Sequence, residues 1–161
     1  MNIRLNSKAV TDEILALSAL HTTAGGGTTL PITRDSLPGL RVIMRMAFAE
    51  ITLKLAPWME NCAIDSADAD PANPYDQDAP VRLELTLKNG DRFPSGTALT
   101  VKRHLEHMVA AATLGWVSAA ADRSLAEKLC AHRERELLAL ETLLAAAAAE
   151  PRPFRRRGCR W

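Results

Sequence analysis

The chain has 161 residues, with 20 Lys and Arg against 19 Asp and Glu, and 47% of its residues are hydrophobic. This composition is typical of one globular domain and excludes wholesale disorder. The net charge of +1 argues neither for nor against a polyanionic partner, and 4% aromatic residues leave little for a base-stacking platform. No stretch approaches the roughly 20 apolar residues of a membrane span, and the first ten residues lack the apolar core of a secretion signal.

The first predicted elements are a short strand and a helix. Residues 2–6 alternate apolar and polar side chains, which is typical of a strand with one buried face. Asn6 or Ser7 can accept the free amide hydrogens of a first helical turn, so a helix is predicted over residues 8–21. The predicted buried stripe of this helix consists of Val10, Ile14, Leu17, Leu20 and His21.

A second helix is predicted over residues 36–61. Pro57 would kink this helix or end it near Trp58, because proline cannot donate the helical hydrogen bond. Segment 63–80 follows as a predicted polar loop that has no Lys or Arg. The predicted buried stripe of the second helix consists of Leu40, Met44, Ala47, Ile51, Leu55 and Met59.

The second half of the chain contains the clearest strand, at residues 81–88, where Val or Leu alternates with polar side chains. A lone strand cannot satisfy its backbone groups, so we expect it to pair with residues 2–6, and a loop segment could add a third strand. Helices are predicted over 96–121 and 124–149, the latter with a capping box at Ser124-Leu-Ala-Glu127. The side chains predicted to be largely buried are Met44, Ile51, Leu105, Trp116, Leu137 and Leu140.

The predicted fold is therefore mainly α. Residues 1–150 form one four-helix domain with a small two-stranded antiparallel sheet, which becomes three-stranded if a loop segment joins it. Residues 151–161 carry five arginines and no acid, so this tail cannot build a core and is expected to be disordered when alone.

Two segments of opposite charge are the candidate partner-binding sites: the loop at −5 and the tail at +5. The tail arginines could hold phosphates, or they could enter an acidic groove of a protein with Phe154 and Trp161 as apolar anchors. A merely solubilising tail is the third interpretation. The candidate residues are Asp65, Asp68, Asp70, Asp76 and Asp78 in the loop and Arg152, Phe154, Arg155, Arg156, Arg157, Arg160 and Trp161 in the tail.

Two histidines are the residues most suggestive of chemistry. His104 and His107 lie one helical turn apart, a spacing that metal ligands can use, and Cys130 and His132 could add ligands from the next helix. Nothing in the sequence forces these four residues to converge. The spacing is not that of a metalloprotease, the Asp-rich loop lacks the Gly and closing Glu of a calcium loop, and no nucleophile motif is present. We therefore predict no enzyme, no metal and no cofactor.

The order of the elements matches a known arrangement. A short strand leads into a helix that ends in a Thr/Ala/Gly turn, here Leu20-His-Thr-Thr-Ala-Gly25, and an alternating Val/Leu strand, here Val81 to Leu87, follows a long second helix. Trp116 near the end of the third helix and the Pro/Arg-rich tail from Pro151 to Arg157 complete the pattern. The chain resembles small uncharacterised proteins encoded among the structural genes of bacteriophages and prophages of gut Bacteroidetes.

The resemblance implies a non-enzymatic virion protein, since similar helical proteins of phage necks act as head–tail connectors, in rings below the portal. Its expected partners are further copies of itself and portal or tail proteins, and its expected location is the virion, assembled in the host cytoplasm. A nucleic-acid-binding accessory protein that uses the Arg tail is the alternative, although the acidic loop would repel DNA. A metal-binding protein is the third hypothesis.

Overall fold

The described part of the chain folds into four helices and a small antiparallel sheet, as predicted. The structure is a computed structural model that describes residues 1–23, 32, 36–66, 81–88, 93 and 96–148. In chain order the elements are β1 (Asn2–Asn6), α1 (Ser7–Thr23), α2 (Leu37–Leu55), β2 (Met59–Ser66), β3 (Val81–Leu87), α3 (Thr97–Ser118) and α4 (Arg123–Ala148). The fold is mainly α.

Helix α1 begins where the sequence predicts it. The Asn6 side chain accepts hydrogen bonds from the backbone amides of Lys8 (3.0 Å) and Ala9 (3.4 Å), so it caps the first turn. Val10 and Ile14 are buried, but Leu20 is 65% exposed, and its predicted place in the buried stripe is wrong. Leu20 lies about 100° around the helix from the line through Val10 and Ile14, so it faces away from the core.

The end of α2 differs from the predicted helix over 36–61. Helix α2 ends at Leu55, and a 3-10 turn at Ala56–Trp58 contains Pro57, so of the two alternatives, a kink or an end of the helix, the structure has the end. Residues 59–66 then form β2, although the sequence predicts helix to residue 61 and loop from residue 63. The pairing of β2 shifts register between Met59 and Asn61, and this irregularity hides the strand because it breaks the alternation of side chains.

The sheet has the order β1-β3-β2, and both pairings are antiparallel. Leu83 and Leu85 of β3 lie opposite Leu5 and Ile3 of β1, and all four side chains are buried. The predicted pairing of the two strands is thus confirmed, and β2 supplies the third strand. Residues 67–80 of the predicted acidic loop lie outside the described residues.

Helix α3 is the centre of the domain. Its side chains from Met108 to Leu114 are all buried, and α1, α2, α4 and β1 pack around it. Trp116 is 41% exposed, so its predicted burial is wrong. Helix α4 covers the side of α3 that contains the neighbouring Gly115, where an added Cβ would lie 3.6 Å from the Leu129 Cβ. Trp116 follows Gly115 in the helix and therefore projects about 100° away from that side, toward solvent.

Helix α4 packs on α3 through a leucine stripe. Leu137 and Leu140 are buried, as are Met44, Ile51 and Leu105, so the other five burial predictions are confirmed. The predicted capping box is wrong. The Asp122 side chain caps α4 by accepting a hydrogen bond from the Leu125 amide at 2.9 Å, while Glu127 pairs with Arg123 at 3.0 Å.

Gly96 precedes α3 with a left-handed φ of 92°, and its carbonyl accepts the amides of Leu99 and Thr100 at 3.1 and 3.3 Å. We predict that Gly96→Ala lowers the free energy of unfolding by about 1 kcal/mol, because a Cβ strains this conformation. Gly39→Ala is the matched control: Gly39 is helical with open space around it, so alanine there should stabilise the protein by up to about 1 kcal/mol. Urea denaturation measures both, and equal effects at the two positions would contradict the prediction.

Candidate functional site

The two candidate histidines hold α3 to two different helices. His104 Nδ1 lies 2.6 Å from Glu136 Oε2 of α4, and His107 Nδ1 forms a short contact with Glu13 Oε1 of α1. The i, i+3 spacing places both rings on the same side of α3, at the edge of its buried stripe. Each imidazole therefore connects α3 to a carboxylate on a neighbouring helix.

An open pocket of about 340 Å³ lies beside these histidines. Arg103 at its rim is exposed and forms no ion pair with another described residue. The remaining lining residues are Leu99, Thr100, His104, His107 and Glu136. The residues that line the pocket carry imidazole, hydroxyl, guanidinium and carboxylate groups, all of which can form hydrogen bonds.

The four residues considered for a metal site do not assemble one. Within the part of the chain that the structure describes, no group of three or more His, Cys, Asp or Glu side chains could hold a metal ion. Cys130 is exposed on α4, and its Sγ lies 3.8 Å from Arg133 Nη2. His104 and His107 are each turned toward a glutamate instead.

Ion pairs connect α2 to α4. Arg133 contacts Glu50 and Glu134, each at 3.1 Å, and Lys54 contacts Glu134 at 2.9 Å. The hydrogen bond from Lys54 is the largest effect and lowers the pKa of the Glu134 carboxyl below its usual value; burial opposes it, and the hydrogen bond from Arg133 adds to the lowering. This charge network spans two helices that otherwise meet mainly through α3.

Helix α2 has a second apolar face that the sequence analysis missed. Val42, Met46 and Leu53 are 53%, 53% and 77% exposed. Together with Ala49 they lie within about 60° of one another on the helix, opposite the buried side chains such as Met44 and Ile51. We call Val42, Met46, Ala49 and Leu53 the outer stripe of α2. The sequence does contain a signal for this face: these four apolar residues follow one another at spacings of four, three and four, outside the predicted buried stripe.

The charged candidate residues fall almost wholly outside the structure described here. Asp65 lies in β2, where its backbone pairs with Arg82 of β3. The other four aspartates and the seven residues of the tail lie outside the described residues.

Comparison with known proteins gives no family for the chain: no family model, no curated protein and no solved structure matches it. Among the described helices, none is both long and apolar enough to cross a membrane.

We predict that the His104–Glu136 pair contributes about 1 kcal/mol of coupling, because both side chains are about three-quarters buried and their contact is short. A double-mutant cycle with His104→Ala and Glu136→Gln measures this coupling by urea denaturation. The Arg123–Glu127 pair is the control, since it is largely exposed and should couple by only about 0.3 kcal/mol. Additive effects of the two changes at His104 and Glu136 would show that the contact does not stabilise the fold.

The lowered pKa of Glu134 predicts a pH dependence of stability. A carboxyl whose pKa is lowered by folding stabilises the protein fully above its unfolded-state pKa, and that contribution disappears as the pH falls through the lower, folded value. Glu134→Gln should therefore be less stable than the wild type by a constant amount above about pH 6, and the difference should shrink below about pH 4.5. Thermal denaturation across this range measures it, and a difference that grows on acidification would contradict the assignment.

Proposed function

We propose that the chain is a non-enzymatic structural protein of a bacteriophage particle that acts as a homo-oligomer in a head–tail connector, neck or tail assembly. The observation that carries the proposal is the outer stripe of α2, in which Val42, Met46 and Leu53 expose apolar side chains on the face away from the core. Rows of exposed apolar side chains on a folded domain are typical of protein interaction sites. The resemblance of the element order to phage structural proteins supports the choice of assembly.

The pairs made by the histidines also support an architectural role. His104 contacts a glutamate on α4, and His107 contacts a glutamate on α1. These side chains therefore hold α1, α3 and α4 together. Opposite charges on segments 63–80 and 151–161 provide a second means of contact between copies. Portal and tail proteins are the proposed partners in the particle.

The first test is the mass of the full chain in solution. Light scattering coupled to size exclusion, at several protein concentrations, should give a mass that is a multiple of 17.5 kDa and rises with concentration. A mass of one chain at every concentration would contradict the homo-oligomer.

The C-terminal tail gives a second prediction. Deleting residues 151–161 should leave helix content and thermal stability unchanged, because the core of the described residues runs from Ile3 to Leu144. Self-association should weaken and become less sensitive to salt, since several exposed charge pairs acting together steer assembly. Circular dichroism and light scattering at low and high salt measure these effects.

A full-length variant with Gln at the five tail arginines is the matched control, because it removes the charge and keeps the length. If this variant also assembles less well, the charges are responsible. Unfolding of the truncated chain would show instead that the tail packs into the domain. Normal assembly together with loss of DNA binding would favour the alternative, a nucleic-acid-binding accessory protein.

A further inference from the structure

A face of α4 matches the outer stripe of α2. Leu138 is 65% exposed, and the exposed Ala131 and Ala145 lie one heptad before and after it on the same side of the helix. We call Ala131, Leu138 and Ala145 the outer stripe of α4. It lies opposite the buried leucines such as Leu140, so it faces away from the core as the α2 stripe does.

Charged residues flank both stripes in complementary order. Arg45 borders one side of the α2 stripe and Glu50 the other; Glu141 and Arg135 border the corresponding two sides of the α4 stripe. Arg45 and Glu141 form no ion pair with another described residue, whereas Glu50 already contacts Arg133. When two helices pack antiparallel, side chains on corresponding sides meet, so Arg45 would face Glu141 and Glu50 would face Arg135.

One register satisfies the apolar and the charged contacts together. If Met46 packs against Leu138 of an antiparallel helix, Leu53 reaches Ala131 and Val42 reaches the turn that contains Ala145. The same register leaves Arg45 and Glu141 about 3 Å apart along the helix axes, a difference that their long side chains can span. The step of seven residues from Met46 to Leu53 on α2 is thus matched by the step of seven from Leu138 to Ala131 on α4.

Pairing of α2 with α2 of another copy is less favourable. An antiparallel pair centred between Met46 and Ala49 would match the apolar residues, but it would place Arg45 of both copies on one side and Glu50 of both copies on the other. Like charges that face each other oppose association. The charges therefore distinguish α4 from α2 as the partner.

We propose that the outer stripe of α2 binds the outer stripe of α4 of a second copy of this chain, antiparallel, with Arg45 beside Glu141. The contact joins two different surfaces, so its head-to-tail repetition is heterologous and generates a ring when the rotation between copies closes. The inference rests on the proposed homo-oligomer and names the surfaces through which it forms.

Charge reversal and its rescue test the contact. Arg45→Glu and Glu141→Arg in the full chain should each weaken self-association by about tenfold, because each places like charges at the contact. The double variant should return to within about twofold of the wild type, since it restores an opposite pair. Sedimentation velocity over a range of concentrations measures the association, and circular dichroism checks that each variant is folded.

Lys8→Glu is the matched control, because Lys8 is an exposed cation on α1, away from both stripes, and it should leave the association unchanged. Met46→Asp should weaken association more than either charge reversal, as it places a carboxylate among the apolar side chains.

Single variants that associate as the wild type does would overturn the α2–α4 contact and leave the oligomer standing. A wild-type chain that stays monomeric would overturn the oligomer itself. Weakening without rescue in the double variant would overturn the Arg45–Glu141 pairing.

Discussion

The complete burial of the middle of α3 is the constraint on which the rest of the structure depends. Ala110, Ala111 and Ala112 in this segment have small side chains, so α1, α2 and α4 can surround one helix at close range. The one polar side chain among them, Thr113, donates a hydrogen bond to the Val109 carbonyl at 2.7 Å, which satisfies its hydroxyl without a partner from another helix. The charged side chains and the two histidines of α3 all precede this segment, between Lys102 and His107.

The charged contacts of the domain lie around this apolar centre and orient the helices more than they stabilise them. His104 and His107 connect α3 to α4 and α1, and Arg133 connects α4 to α2. Partly exposed pairs of this kind contribute little each, but they specify which side of each helix faces its neighbour. Their positions explain why two histidines at metal-ligand spacing belong to the architecture of the fold: the residues that approach them are the carboxylates of adjacent helices.

Periodicity in the sequence predicted those elements whose apolar residues face one side only. This rule holds for the paired strands, where Ile3 and Leu5 lie opposite Leu85 and Leu83, and for the leucines of α4. The predicted placement of these residues is confirmed. Strand β2 was missed because a register shift at Met59 breaks its alternation. Trp116 was misplaced because the segment before it, Met108 to Leu114, is buried on all sides and has no single stripe, so spacing cannot show where the burial ends. The carboxylates that meet the histidines could not be predicted either, because Glu13 and Glu136 come close only through the packing of three helices.

Helix α2 carries two apolar faces on opposite sides, and the domain buries only one of them. The buried face consists of Met44, Phe48 and Ile51. The opposite face exposes Met46 and Leu53 to solvent, where polar side chains would be hydrated more favourably. The same asymmetry recurs on α4, where Leu140 is buried and Leu138 is exposed. Exposed apolar residues that repeat at helical spacing on two neighbouring helices, each bordered by opposite charges, form a surface with the composition of a helix–helix contact. The contacts between helices inside the domain and the proposed contact with a second copy therefore share one pattern: apolar side chains at helical spacing, bordered by charged residues.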